Sequence, residues 1–314
     1  MSKILEKSPP PTLDDYPRID RAGRFDGCCT SGEELRRLAA GGPRVSIVTI
    51  VRNGKSTLMR TAESVFSQDY PEIEYIIVDG ASTDGTTDLL RSWEDRLAYW
   101  LSEPDLGVSD AFNKGIALSC GEIIGLLNSD DWYEPGAIGA VVAQMRRTGA
   151  DIACGRLQYW EGDRRTYLVS SDPAQLDRGM TVGHPTVFVR RDSYRKFGLF
   201  RLDFRLAMDY EWLLRAKAAG ARFTVVDCSL ANMQDGGIGD RRWRDSQREV
   251  ARARALHVPG AGNAFAIHTF VARRILMGNV RRALDAVGLG VLRRAYHRWL
   301  SPVTVSPDHD DRAR

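Results

Sequence analysis

The chain has 314 residues, 43% of them hydrophobic, which is enough for one large buried core with an appendage or for two small domains. A formal net charge of +3 is too mild to require nucleic acid as a partner, and arginine clusters only late in the chain. Five cysteines, Cys28, Cys29, Cys120, Cys154 and Cys228, lack paired metal-ligand spacing and are odd in number, which speaks against a disulfide framework and for a reducing compartment.

Residues 1–43 hold five of the thirteen prolines and balance seven basic against seven acidic side chains, with few large apolar ones. That composition predicts a mostly disordered arm, its one candidate element a short helix from Glu33 to Leu38. No signal-peptide core is visible, and the longest late apolar stretch, AFAIHTFVA from Ala264, is short and interrupted by His268. The expectation is a cytoplasmic protein with no membrane span.

From Val45 the pattern becomes short β-branched runs alternating with helical periodicity, the mark of βαβ units and a mostly parallel buried sheet. Strands are predicted at 45–51 (VSIVTIV), 74–79 (EYIIVD), 97–102 (LAYWLS) and 122–128 (EIIGLLN). Leu58, Ala62, Val65 and Phe66 recur at helical spacing after the first, and Val108, Ala111 and Phe112 before the fourth. Beyond Pro135 the order is less regular: a helix to about Arg147, strands near 151–160 and 185–190, a helix from Asp209 to Ala219, and a strand at 222–227. These divide the chain into the arm at 1–43, a catalytic α/β domain at 44–259, a basic helical extension at 260–300 and a disordered tail at 301–314.

In an open α/β sheet, ligands bind at the carboxyl ends of strands, above all where strand order reverses. Arg52 and Asn53, Asp79, and Asn128 to Asp131 all fall at such ends. Any one of them alone reads more readily as a loop-opening turn residue bonded to nearby backbone. Together they suggest a cleft. Adjacent carboxylates raise each other's pKa unless a cation neutralises them, and Mg²⁺ or Mn²⁺ often takes only one or two protein carboxylates, completing its shell with water and phosphate oxygens. NSDDW at 128–132 therefore points to a metal and diphosphate site. There is no Walker A loop and no Gly-x-Gly-x-x-Gly after the first strand, and RNGKST at 52–57 lacks the first glycine.

The ordered segments VSIVTIVRNG, IIVDGASTDGT, DLGVSDAFNKGIALSCGEIIGLLNSDDWYEPGAI, HPTVFVRRDSYRKFGLF and FRLAMDYEWLLRAKAAG, spread over roughly residues 44 to 240, resemble family 2 glycosyltransferases of the GT-A fold. The resemblance implies a Rossmann-like, mostly parallel sheet flanked by helices. It also implies transfer of one sugar, with inversion, from a nucleoside-diphosphate donor, UDP by family habit, to a hydroxyl of a glycan or lipid-linked acceptor, as in building a bacterial surface glycan or glycolipid. Mn²⁺ or Mg²⁺ is the cofactor it implies.

Carried over residue by residue, Asp79 binds the nucleotide base and Val51 to Asn53 line the same pocket. Asn128, Ser129 and Asp130 take the place of the Asp-x-Asp element, and Asp131 is a second acidic position. Asn128 departs from the strict pattern, so the metal relies on Asp130 with Asp131 as the other candidate ligand. Asp110 and Lys114, with Asp105 and Asn113, fall in the stretch that reaches toward donor phosphate or sugar, although Asp110 and Lys114 also suit a surface i,i+4 pair. AMDYE resembles the family's Glu-Asp element with Met208 in place of Glu, which makes Asp209 the general base. A helix cap at Asp209 would be compatible with that role, and Glu211 is the substitute.

His184 and Trp132 are candidate sugar contacts, His184 equally readable as an ordinary buried histidine and Trp132, like Tyr133, more readily as a residue packed beneath the following helix; GGIG at 236–239 resembles a closing glycine loop or a plain turn. No Gln-x-x-Arg-Trp follows Asp209, which in this family argues against a processive synthase. Residues 264–300 carry seven arginines against one Asp285, interleaved with apolar side chains. Such a segment suits peripheral contact with an anionic membrane, on the inner face of the cytoplasmic membrane, or packing on the catalytic domain with a solvated arginine face. Two other functions stay open: a nucleotidyltransferase, whose Gly-rich, Arg- or Lys-bearing loop VRNGKST matches poorly, and an inactive sugar-nucleotide-binding partner, against which Asp130 and Asp209 speak.

Overall fold

The computed structural model describes residues 9–16, 42–237 and 241–263, with shorter pieces at 269–272, 276 and 304–306. VSIVTIV forms β1 (Val45–Val51), and all seven of its residues are buried. Period-2 alternation sends Val48 and Ile50 into one apolar layer and Ile47 and Val51 into the other, so a run of branched apolar residues is what a strand covered on both faces requires. Parallel β2 (Ile73–Asp79) and β4 (Ile123–Asn128) flank it, and β3 (Tyr99–Ser102) lies beyond β2.

The order β3-β2-β1-β4 reverses direction at β1, which makes the carboxyl ends of β1 and β4 the switch point. Beyond β4 the sheet turns mixed: β8 (Phe188–Arg190) is antiparallel to both β4 and β6 (Ile152–Glu161). The long β9 (Phe223–Gln234) runs parallel to β6 and antiparallel to the two-residue β5 (Trp132–Tyr133). β7 (Arg164–Ser170) pairs with β6, and β10 (Thr304–Ser306) pairs with β7.

On one face α1 (Lys55–Phe66) buries Leu58, Thr61, Ala62 and Val65, beside α4 (Ala137–Thr148) with Ile138, Val141 and Met145. Between them in the chain come α2 (Thr86–Ser92) and α3 (Val108–Leu118), the latter buried along most of its length on the opposite face with Phe112 and Ile116. The same layer holds α5 (Arg191–Phe197), α6 (Met208–Ala218) with Tyr210 and Trp212, and α7 (Trp243–His257) through Val250 and Ala253. Each such aliphatic or aromatic side chain, fully buried, contributes roughly 1.5–3 kcal/mol of apolar transfer.

Several expectations change. Residues 9–16 of the arm expected to be disordered are docked on the domain through Leu13 and Tyr16, and three residues of the tail are β10. β9 continues seven residues past the expected Asp227, because two register shifts let it follow β6 to Trp160. The expected helix at 33–38 and most of 264–300 lie outside the described residues. Among the described residues Cys154 and Cys228 are free thiols. Among the described residues no helix is long and apolar enough to cross a membrane.

Candidate active site

β1 and β2 end level with each other, Val51 opposite Asp79, and Val51's carbonyl accepts the Gly80 amide at 2.8 Å. Asn53 follows in the left-handed region at φ +53. Its amide donates to Ser82 Oγ at 2.7 Å and its Oδ1 accepts the Thr83 amide at 2.8 Å, which clamps the two strand ends together. Asp79 is fully buried: its Oδ2 accepts the Ser82 amide at 3.0 Å and Ser102 Oγ at 2.6 Å, while Oδ1 accepts the Ser82 hydroxyl. Its carboxylate thus shapes the rim from inside, and the backbone and side chains of 52–54 and 80–83 are what the rim presents. At Gly80 a Cβ would stand 2.3 Å from Asp105 Oδ2 and 3.4 Å from Arg52, so the Asp105 carboxylate of the turn after β3 rests against this loop and would have to move for any larger residue.

Asn128, Ser129, Asp130 and Asp131 turn the chain from β4 into β5, closed by Asp131 N donating to Asn128 O at 3.2 Å. Ser129 reaches toward Gly54, where a Cβ would meet its Oγ at 3.0 Å, so the β4 end touches the β1 end. The two adjacent carboxylates face opposite ways. Asp131 is 1% exposed and its Oδ2 accepts Asn128 Nδ2 at 3.0 Å; desolvation and then the Asp130 charge push its pKa well up, against the opposing effects of Asn128 and Arg60. Asp130 is half-exposed at the strand end.

Among the described residues no three His, Cys, Asp or Glu side chains gather as a ready-made metal cage. One outward carboxylate at a strand end nevertheless fits a hard divalent cation that keeps waters and takes substrate phosphates. Asp130 is the residue that would hold it. Asp131, buried and bonded to Asn128, is less accessible to such an ion than Asp130.

Asp110 and Lys114 are brought together, but inside the protein. Asp110 is 6% exposed, Lys114 Nζ lies 3.4 Å from its Oδ2, and the same ammonium bonds Glu103 Oε1 at 2.8 Å and Pro104 O at 2.9 Å. Their work is to hold the 103–107 turn rather than to form a surface pair. Trp132 has one face covered by the Arg60 guanidinium, 3.5 Å from the ring centroid, and Trp160 at 5.5 Å.

On the α6 side, Asp209 and His184 line one cavity of about 20 Å³ together with Leu126 of β4, Phe200 and Trp212, room for roughly one water. His184 Nε2 is buried without a hydrogen-bond partner; burial lowers its pKa, opposed by the Asp209 charge. Asp209 is not the helix cap. The N-cap is Ala207, and the amides of Arg205, Leu206 and Ala207 donate to the Glu249 carboxylate of α7 at 2.8–3.1 Å. Asp209 Oδ1 accepts only its neighbour's amide, Tyr210 N, at 2.7 Å, and the residue stays half-exposed.

Glu211 is corrected. It is fully buried, bonded to Arg215 Nε at 3.1 Å and Nη2 at 3.0 Å and to His257 Nε2 at 2.8 Å, and cannot meet an acceptor. Desolvation alone would raise its pKa, but the His257 bond and Arg215 hold the net value below the usual range. Ser82, Ser102 and Glu249 were missed by sequence reasoning, since a serine or glutamate carries no pattern that announces a partner 23 to 44 residues away.

Residues 46–218 match the family described as glycosyl transferase family 2. An uncharacterized glycosyltransferase of Mycobacterium tuberculosis is 34% identical over 212 residues, covering 64% of this chain and 78% of that one. Among solved structures, Staphylococcus aureus TarS residues 1–349 with UDP-GlcNAc superposes at TM-score 0.58 and 18% identity, over 77% of this chain and 73% of that one. This chain spans only 39% of the longer TarS structure, at TM-score 0.54. The mannosyltransferase PcManGT of Pyrobaculum calidifontis with GDP-Man and Mn²⁺ superposes at TM-score 0.54 and 16% identity, over 82% of this chain and 81% of that one.

Proposed function

This chain belongs to glycosyl transferase family 2, and on that premise we propose that it moves one sugar, with inversion, from a nucleoside-diphosphate sugar to a hydroxyl of a glycan or lipid-linked acceptor. The observation that supports this reading is the reversal of strand order at β1, which puts the half-exposed Asp130 at the carboxyl end of β4, the strand whose Leu126 shares a cavity with Asp209 of α6. The rim at 52–54 and 80–83 receives the nucleotide; UDP is the default donor, in keeping with the UDP-GlcNAc held by TarS. A Mn²⁺ or Mg²⁺ on Asp130, in keeping with the Mn²⁺ in PcManGT, supplies neutralisation of the charge on the departing diphosphate.

Asp209 takes the proton of the acceptor hydroxyl as that oxygen attacks the anomeric carbon. Asp209 Oδ1 accepts the Tyr210 amide in the first turn of α6, which leaves Oδ2 for that proton. The apolar wall around it, Leu126, Phe200 and Trp212, limits water at the same place. A cytoplasmic location with peripheral membrane contact through 264–300 completes the proposal, and most of that segment lies outside the described residues. Vesicle flotation of the full chain against one ending at Gly260 decides it, equal recovery sinking the contact.

The deciding experiment is calorimetric titration of the full chain with UDP, GDP and TDP, each with and without Mn²⁺. Binding of one nucleotide with metal enhancement is expected; no binding of any of them overturns the donor reading.

A further inference from the structure

Residues 9–16 are laid against the catalytic domain by specific bonds. Pro11 O accepts the Leu199 amide at 2.8 Å, and a Pro10 ring carbon lies 2.9 Å from where a Gly198 Cβ would stand. Thr12 N and Oγ1 both donate to Asp15 Oδ2, at 2.7 and 2.8 Å, closing a single turn that delivers Tyr16 to α3. There the Tyr16 hydroxyl donates to Asp110 Oδ1 at 2.8 Å and accepts Asn113 Nδ2 at 3.3 Å.

Both partners lead to the site. Asp110 Oδ2 accepts the Leu106 amide at 3.0 Å, and next to Leu106 is Asp105, whose Oδ1 accepts Gly107 N at 2.8 Å and whose Oδ2 overhangs Gly80. Asn113 also donates to Phe200 O at 2.8 Å and accepts Phe200 N at 2.9 Å, in the stretch that runs toward Asp209.

We propose that residues 9–16 are a strap built into the active site and that Tyr16 is a positioning residue for sugar transfer: its hydroxyl fixes Asp110, and Asp110 fixes the 105–107 turn against the donor rim. The inference rests on the glycosyltransferase reading above. Burial and the neighbouring Asp110 keep the phenol neutral, so it is a donor throughout the working range. Removing only that hydroxyl takes the donor from Asp110 Oδ1, in a carboxylate 6% exposed, so that the turn keeps Lys114 and the Leu106 bond but loses the contact that orients Asp110 from the strap, while the ring packing of Tyr16 is retained.

The test compares the full chain with Tyr16→Phe, and with a chain lacking residues 1–16, by amide hydrogen exchange and by transfer kinetics with UDP-, GDP- and TDP-sugars. In Tyr16→Phe, exchange of the peptide holding 103–107 rises about tenfold while β1 is unchanged, and donor KM rises roughly five- to tenfold with kcat within about twofold. The truncated chain shows both effects at least as strongly. Unchanged exchange at 103–107 overturns the strap, and unchanged donor KM, or a fall confined to kcat, overturns the positioning role. A wild-type chain that turns over no nucleotide sugar sinks the function reading and the positioning role with it, while the exchange comparison still decides the strap.

Discussion

Asn128 Nδ2 donates to Asp131 Oδ2 at 3.0 Å, and this bond holds the second of two adjacent carboxylates inside the protein while the first stays at the cleft. The pair is therefore divided by environment. Asp130→Ala is expected to abolish Mn²⁺ enhancement of nucleotide binding, and Asp131→Asn, which keeps the shape and removes a charge that burial disfavours, is expected to retain most of it. Calorimetry on both variants reads the difference, and a larger loss in Asp131→Asn would reverse the assignment.

Asp209→Asn keeps the bond to Tyr210 N and removes the base. Expected is a fall in kcat of about 10²–10⁴-fold, with nucleotide affinity within about twofold of wild type. Turnover close to wild type in steady-state assays would remove Asp209 from the chemistry.

The sheet was readable where burial on both faces leaves a continuous apolar run: VSIVTIV and IIGLL mark β1 and β4 almost to the residue. The same logic flagged Asp130 as a polar residue at a strand end but not which neighbour would stay inside, since Asp131 beside it and Asp79 at the end of β2 are both buried. Glu211 was misread because adjacency in sequence to Asp209 hides geometry. Two residues along a helix is a rotation of about 200°, which turns Glu211 into the protein. Tyr16 gave no signal at all, a lone aromatic in a proline-rich stretch with no periodicity. α7 escaped for a related reason: RDSQREVARARALH buries only Val250, Ala251 and Ala253, too narrow a stripe to stand out among its arginines.

Glu249 acts at a distance on the start of α6. Its carboxylate accepts the amides of Arg205, Leu206 and Ala207, the turn that leads into the helix. Glu249→Ala leaves those amides without their acceptor, and is expected to destabilise the fold by about 1–3 kcal/mol and, by loosening the turn that presents Asp209, to lower kcat more than it raises donor KM. Urea unfolding and steady-state kinetics check the two halves. Unchanged stability would show that water replaces the carboxylate without cost.

The Glu211, Arg215 and His257 cluster links α6 to the last turn of α7, and Arg215 carries the link onward to the carbonyls of Phe197 and Leu199. Glu211 titrates below its ordinary value of 4.5 in the folded state, so its contribution to stability is fully present above about pH 4.5 and is lost as pH falls through the lower folded value. Glu211→Gln leaves Arg215 without its counter-charge in a buried setting, which costs roughly 3–5 kcal/mol at neutral pH. The two proteins should converge as the medium is acidified, because protonated wild type and the variant then carry the same charge at this position. Denaturant unfolding measured from pH 7 down to pH 3 gives the curve: a gap that narrows toward acid supports the cluster as an ion-paired brace, and a gap that stays constant with pH assigns the loss to packing instead.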